Sequence, residues 1–162
     1  MDLARKIAQL TQELDYEAMD ASILDRAKYL LLDYLGVAIR GSRTDSSQLM
    51  QRFISVNHTR FQGIPIIGTN LRAEAYFAAL ANGTAAHSLE LDDVVNAASL
   101  HPGVTVMSAA LSAGYITKCT GRELLEAIIA GYELTVKLGI ALDPAAHYAQ
   151  GFHPTGTCGA FG

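Results

Sequence analysis

The hydrophobic pattern at the start of the chain predicts a series of amphipathic helices. Four apolar side chains recur at three- and four-residue steps, which is the period of a helix with one buried face: Leu3, Ile7, Leu10 and Leu14. A broader apolar stripe predicts a second helix over residues 23–40, capped by Asp20 or Ser22 and ended by Gly41. A third helix is predicted over residues 46–56.

The remaining pattern is also helical, with one interruption. Residues 63–68 are β-branched, bounded by glycines and broken by Pro65, which favours at most a short edge strand near 64–67. Helices are then predicted over residues 72–90, 103–118 and 122–142, and Pro144 ends the last of them. The last two helices have little polar face and should be central. We therefore predict an all-α, helical bundle-like fold, with no domain boundary between residues 1 and 162.

Composition narrows the possible functions. Half of the residues are apolar, so the chain should form a packed core rather than remain disordered. The formal charge is −4 and Lys and Arg form no block, which argues against nucleic-acid and anionic-membrane partners. Cys119 and Cys158 have no CxxC spacing, and the first residues lack the apolar core of a signal peptide. We expect a cytoplasmic protein that acts on small molecules or binds protein partners.

The last residues suggest a longer protein. The run GFHPTGTCGAFG at 151–162 contains a helix-start signal, and little room for a helix follows it. We expect this chain to be the first part of a larger protein.

Two His-Pro motifs are the first candidates for chemistry. Pro102 and Pro154 should each occupy a first helical position, which places His101 and His153 at the N-caps. Histidine is a poor N-cap, so a role in a site is worth considering. Amides at a helix start can bind a substrate carboxylate, they oppose protonation of a nearby imidazole, and a neutral imidazole is a usable base. Alternatively, each histidine only fills a loop-to-helix junction and hydrogen-bonds to the backbone there.

An acidic cluster precedes the first His-Pro motif. Glu90, Asp92 and Asp93 lie near the C-terminal end of a predicted helix, where negative charge opposes the helix dipole. The cluster could orient a histidine, take part in acid–base chemistry, or form a solvated acidic turn. With His87 and His101 it could in principle ligate a divalent ion, but the spacing matches no strong motif, and we predict no metal site.

Other common chemistries find no support in the sequence. No GxSxG elbow is present, and neither a GxGxxG nor a GxxxxGK[ST] motif occurs, so neither a serine nucleophile nor a nucleotide cofactor is supported. Cys158 lies in a plausible helix and is predicted to be a packing residue.

Several segments, in this order, resemble the MmgE/PrpD family. The matching runs are AKYLLLDYLGVAIRGS at 27–42, NGTAAHSLELDD at 82–93, LHPGVTVMSAAL at 100–111, TGRELLEAIIAGYEL at 120–134 and GFHPTGTCGAFG at 151–162. The resemblance covers nearly the whole chain. It implies the N-terminal part of a large helical domain, which in this family is accompanied by a smaller α+β domain, usually in homodimers.

The resemblance also implies a chemistry. The family includes 2-methylcitrate dehydratase, cis-aconitate decarboxylase and iminodisuccinate epimerase, which act on small di- or tricarboxylates without a metal or organic cofactor. The family's H-S-x-[DE]-x-D-D motif falls on residues 87–93, and its two His-Pro histidines fall on His101 and His153. Glu90 and Val94 replace the Asp and the Thr of decarboxylase and dehydratase relatives, which points away from cis-aconitate decarboxylase itself.

We therefore predict a lyase of the 2-methylcitrate dehydratase type that removes a proton from carbon next to a carboxylate. The alternatives are an epimerase of the iminodisuccinate type and a non-catalytic carboxylate-binding relative. The predicted catalytic residues are His101, His153, Glu90, Asp92 and Asp93. The predicted substrate-binding residues are Thr155, Gly156 and His87.

Overall fold

A computed structural model describes residues 2–162, apart from the side chains of Leu3 and Leu10, so the predicted contribution of those two leucines to a buried face lies outside the described part. The described residues form eight helices, one 3₁₀ turn at Tyr16–Ala18 and a two-stranded sheet. The helices are α1 (Leu3–Gln12), α2 (Ala21–Gly41), α3 (Asp45–Asn57), α4 (Ala75–His87), α5 (Pro102–Thr117), α6 (Gly121–Ala141), α7 (Pro144–Ala149) and α8 (Pro154–Gly159). The prediction of a mostly helical domain is confirmed.

Local capping explains where several helices begin. The Asp20 side chain accepts a hydrogen bond from Ser22 N and starts α2, as one of the two predicted caps. Thr120 and Glu123 form a reciprocal capping box at the start of α6. His101 occupies the N-cap of α5 with Pro102 at the first helical position, as predicted, but its side chain makes no capping hydrogen bond.

The region between α3 and α4 differs from the prediction. The first strand, β1 (Thr59–Pro65), begins before the predicted edge strand and pairs antiparallel with β2 (Arg72–Ala73). The prediction of a helix from residue 72 is therefore wrong, and α4 begins at Ala75. The physical reason is a turn in which Gly68 adopts φ 76°, so that Ile66 N can donate to Leu71 O.

The main core lies where α2, α4, α5 and α6 meet. Its fully packed members are Tyr34, Ala38, Ala85, Ala86, Val104, Met107 and Ile128. Alanines on the buried face of α4 let the neighbouring helices approach closely, and Gly41 of α2 lies directly against the carbonyl of Ala85. The last turn of α5 is less enclosed than predicted, because Ile116 is 63% exposed.

Two smaller clusters flank this core. One joins α3, the sheet and α4 through Ile54, Ile64, Ile66, Ala73, Ala78 and Ala81. The other joins the loop before α5 to α8 through Ala98, Leu100 and Cys158, so the prediction that Cys158 is a packing residue is confirmed. No helix in residues 2–162 combines the length and the apolar character needed to cross a bilayer.

Candidate active site

The candidate site lies between the end of α4 and the start of α5. His87 is the last residue of α4, and residues 88–101 form a loop that returns to the N-terminus of α5. The loop is closed by a hydrogen bond from Val95 N to Leu100 O of 2.9 Å, and Leu100 is fully buried. This anchoring holds the acidic residues of the loop beside both histidines.

Asp92 is the buried centre of the site. Its side chain is only 2% exposed, and its two oxygens lie 3.1 and 2.9 Å from His87 Nδ1. Since a carboxylate only accepts, the Nδ1–H group of His87 donates to Asp92. Asp92 Oδ1 also lies 3.5 Å from His101 Nδ1, which is buried and makes no hydrogen bond within the described residues. One carboxylate therefore faces the Nδ1 atoms of two imidazoles.

Glu90 lies on the other side of the same two rings. Its oxygens are 3.5 Å from His87 Nε2 and 3.8 Å from His101 Nε2, and its side chain is 72% exposed. The backbone of Glu90 is left-handed, with φ 51°, a conformation that costs a residue with a side chain about 1 kcal/mol. The centroids of the two imidazole rings are 4.9 Å apart. In this backbone conformation the Glu90 carboxylate lies near both Nε2 atoms.

Asp93 has a different local role. Its Oδ1 accepts a hydrogen bond of 3.1 Å from Gly103 N, so Asp93 caps α5 from the loop, in place of His101. Burial raises the pKa of the Asp93 carboxyl, and the hydrogen bonds only partly offset this. The Tyr132 hydroxyl also lies beside Gly103, and burial together with the nearby Asp93 charge raises the pKa of Tyr132. Asp93 and Tyr132 thus support the helix that carries His101.

The second His-Pro motif is tied to the first by its threonine. His101 N donates a hydrogen bond of 2.9 Å to Thr155 Oγ1, and Thr155 is buried. Thr155 N donates in turn to His153 Nδ1 at 3.2 Å, so the His153 imidazole caps the six-residue helix α8. His153 Nε2 lies 3.3 Å from the Tyr148 hydroxyl. Gly156 is exposed, and no other atom lies close to the position of its missing side chain.

Three of the residues at this site could hold a divalent metal ion. His87, Asp92 and His101 each offer one ligand atom, and these atoms lie within 4.8 Å of one another in the described structure. The 2.9 Å separation between His87 Nδ1 and Asp92 is, however, the length of a direct hydrogen bond. The predicted lack of a metal remains a prediction.

The structure brings together four of the predicted residues, namely His87, Glu90, Asp92 and His101. Asp93 and Thr155 contact the backbone at the start of α5, and His153 is linked to this region through Thr155 and through the Tyr148 hydroxyl, which also contacts Ser99 O. The roles assigned to these seven residues and to Gly156 stay predictions. Sequence reasoning missed Tyr132 and Tyr148, because a tyrosine within an apolar helix or a loop carries no local signal of a site.

Comparison with known proteins gives one family and several distant relatives. The model of the MmgE/PrpD N-terminal domain matches residues 5–162. A cis-aconitate decarboxylase-like protein of Aspergillus oryzae is 28% identical over 160 residues, covering 94% of this chain and 33% of that protein. The cis-aconitate decarboxylase of Mus musculus is 26% identical, covering 99% of this chain and 33% of its own length. The Homo sapiens enzyme is also 26% identical, covering 86% of this chain and 30% of its own length. The chain thus spans about a third of the length of these relatives.

Proposed function

The chain belongs to the MmgE/PrpD family, and on this premise we propose that it is the first third of a cofactor-independent lyase acting on a small di- or tricarboxylate. The reaction proposed is removal of a proton from carbon next to a carboxylate, followed by loss of water, as in 2-methylcitrate dehydratase. The observation that carries the proposal is the His101 imidazole. Its ring is 18% exposed, its Nδ1 faces the buried Asp92, and its Nε2 is directed away from that carboxylate.

In this proposal His101 is the general base. Its position at the start of α5 is fixed at three points: Pro102 sets the backbone, Asp93 caps the helix, and Thr155 accepts from the His101 amide. A base must be held within hydrogen-bond reach of the proton that it removes, and catalytic contacts that are long without substrate often tighten in the complex. The separation of 3.5 Å between His101 Nδ1 and Asp92 Oδ1 is such a long contact, and in this proposal it shortens when substrate binds.

The proposed substrate class follows from the relatives and from the charge of the site. The relatives of this chain are named for their action on cis-aconitate, which is a tricarboxylate. Within the described residues, however, the ion-pair partners of Glu90 and Asp92 are imidazoles only. Binding several substrate carboxylates here calls for additional positive charge. We therefore propose that cationic groups elsewhere in the full-length protein complete the site, and that the isolated 162-residue chain has no turnover.

The test uses full-length protein with 2-methylcitrate, cis-aconitate and iminodisuccinate as separate substrates. We expect dehydration of the first, and a loss of about 10²–10⁴-fold in kcat for His101→Gln. His58→Gln is the matched control, because His58 stacks on Phe77 at the far end of α3 and should leave kcat unchanged.

The other outcomes are informative. A His101→Gln variant as active as the parent would remove the role assigned to His101. Epimerisation of iminodisuccinate without dehydration would favour the epimerase alternative. Tight polycarboxylate binding in calorimetry with no product from any substrate would identify a non-catalytic relative.

A further inference from the structure

The structure contains a second imidazole in the same environment as His101. We propose that His87 is the general acid of the reaction and that it donates the proton to the departing hydroxyl group, while His101 removes the proton from carbon. This inference rests on the proposed function and adds to it a second catalytic residue with a defined chemical task.

The first argument is that the two rings are oriented in the same way. Both Nδ1 atoms face Asp92, which is almost fully buried, and both Nε2 atoms face Glu90, whose side chain is 72% exposed. Both Nε2 atoms are therefore on the more exposed side of the two rings.

The second argument concerns the protons. A neutral imidazole whose Nδ1 carries the hydrogen has a lone pair on Nε2, and a lone pair repels a carboxylate. The position of Glu90, 3.5 and 3.8 Å from the two Nε2 atoms, is therefore favoured when at least one Nε2 carries a proton. One protonated and one neutral imidazole in the same site make an acid and a base.

The contacts to the two carboxylates are shorter at His87 than at His101. His87 is the closer of the two to both carboxylates, at 2.9 Å from Asp92 and 3.5 Å from Glu90. His101 is 3.5 and 3.8 Å from the same two groups, and its Nδ1 makes no hydrogen bond in the described part of the chain. In this proposal the proton therefore lies on His87, the ring closer to both carboxylates, and His101 is the neutral partner.

The resulting step balances. His101 Nε2 takes the proton from the carbon next to the carboxylate, and the electron pair of that C–H bond forms the carbon–carbon double bond. The C–O bond on the adjacent carbon breaks, and the proton on His87 Nε2 moves to the departing oxygen, so that water leaves. His101 ends protonated and His87 neutral, and exchange with solvent restores the starting state. No oxidant, reductant or second substrate is required.

The experiment compares two leaving groups in the full-length protein. A fluoride ion can leave without being protonated, whereas a hydroxyl group needs an acid. We expect His87→Gln to lower kcat for the hydroxy substrate by about 10²–10⁴-fold, and to change kcat for the matching fluoro analogue by only a few-fold. His101→Gln should lower kcat for both substrates, because both require removal of the same proton, and His58→Gln should change neither.

Each result decides the matter. Equal losses on the two substrates, or no loss on either, would overturn the role of His87 while leaving that of His101 intact. If the unaltered protein converts neither substrate, the proposed function fails and the acid–base pair fails with it. If His87→Gln does not fold, the unaltered protein provides the test through its solvent deuterium isotope effect. That effect should be larger with the hydroxy substrate than with the fluoro analogue, and equal effects would overturn the proposal.

Discussion

The cap that Asp93 provides for α5 makes a sharp prediction about stability. Among the described residues, Asp93 is the one side-chain acceptor for Gly103 N, and the N-cap side chain of α5 makes no capping hydrogen bond, so Asp93→Ala leaves this amide without a side-chain partner. Loss of an N-cap costs about 1–2 kcal/mol, and an amide left unsatisfied in a buried position costs about 1–3 kcal/mol. Because both numbers describe the same hydrogen bond, they are not added. We expect Asp93→Ala to lower the free energy of unfolding by about 1–3 kcal/mol.

Asp93→Asn should behave differently, because the amide keeps an oxygen that can accept from Gly103 N and removes the buried charge. The pKa of Asp93 is raised in the folded state by burial, so the folded state binds the proton more tightly than the unfolded state. The stability contributed by the protonated Asp93 carboxyl is present below the ordinary pKa of 3.8 and is lost as pH rises through the raised pKa of the folded state. The parent should therefore lose stability relative to Asp93→Asn as pH increases through this window.

The assay is urea denaturation followed by far-ultraviolet circular dichroism, from pH 3.5 to pH 7, on the parent and both variants. Asp45→Asn removes one negative charge from an exposed position in the first turn of α3 and serves as the control. The reasoning is refuted if Asp93→Ala and Asp93→Asn have the same stability at neutral pH. It is also refuted if the difference between the parent and Asp93→Asn does not grow as pH rises.

Three further predictions follow from single positions. Glu90→Gly should raise the free energy of unfolding by about 1 kcal/mol in the same denaturation assay, because glycine relieves the left-handed backbone, and it should lower turnover of the full-length protein. Gly41→Ala should lower the free energy of unfolding by about 1–3 kcal/mol, since its methyl group would overlap the Ala85 carbonyl. Gly36→Ala on the same helix meets open space and should raise the free energy of unfolding by about 0.5–1 kcal/mol, so equal effects of the two variants would contradict this reasoning. Burial raises the pKa of Tyr34 to about 12, so the stability that its neutral hydroxyl contributes is present below the ordinary pKa of 10.0 and is lost as pH rises through about 12. An ultraviolet titration in which Tyr34 ionises with the ordinary pKa of 10.0 would contradict this prediction.

Local patterns in the sequence are sufficient to predict most of the helices and the position of His101 in the site. The period of the apolar residues and the proline at position 102 predict both α5 and the N-cap position of His101, because these features depend on a few consecutive residues. The sequence also shows that the acidic cluster lies just ahead of His101, where it could orient a histidine. The contacts among His87, Glu90, Asp92 and His101 agree with that expectation.

The remainder depends on contacts that no local pattern contains. Asp93 caps a helix that begins nine residues after it, and Thr155 accepts a bond from an amide 54 positions earlier. His153, in contrast, occupies the N-cap position that the sequence predicts, and its Nδ1 accepts from Thr155 N only two residues away, as in the alternative in which this histidine hydrogen-bonds to the backbone of its loop-to-helix junction. The two residues of β2 directly precede a helical, alanine-rich segment, and the prediction therefore extends that helix over them.

The bond between the His101 amide and Thr155 has a consequence for how the protein is made. During synthesis the helices α2, α4 and α5 emerge from the ribosome before residue 155 does, and they can form most of the main core. The His101 amide, however, finds its acceptor only after Thr155 has emerged and α8 has packed its Cys158 against Leu100. The helical core can therefore form before the backbone at His101 is held by its full set of contacts.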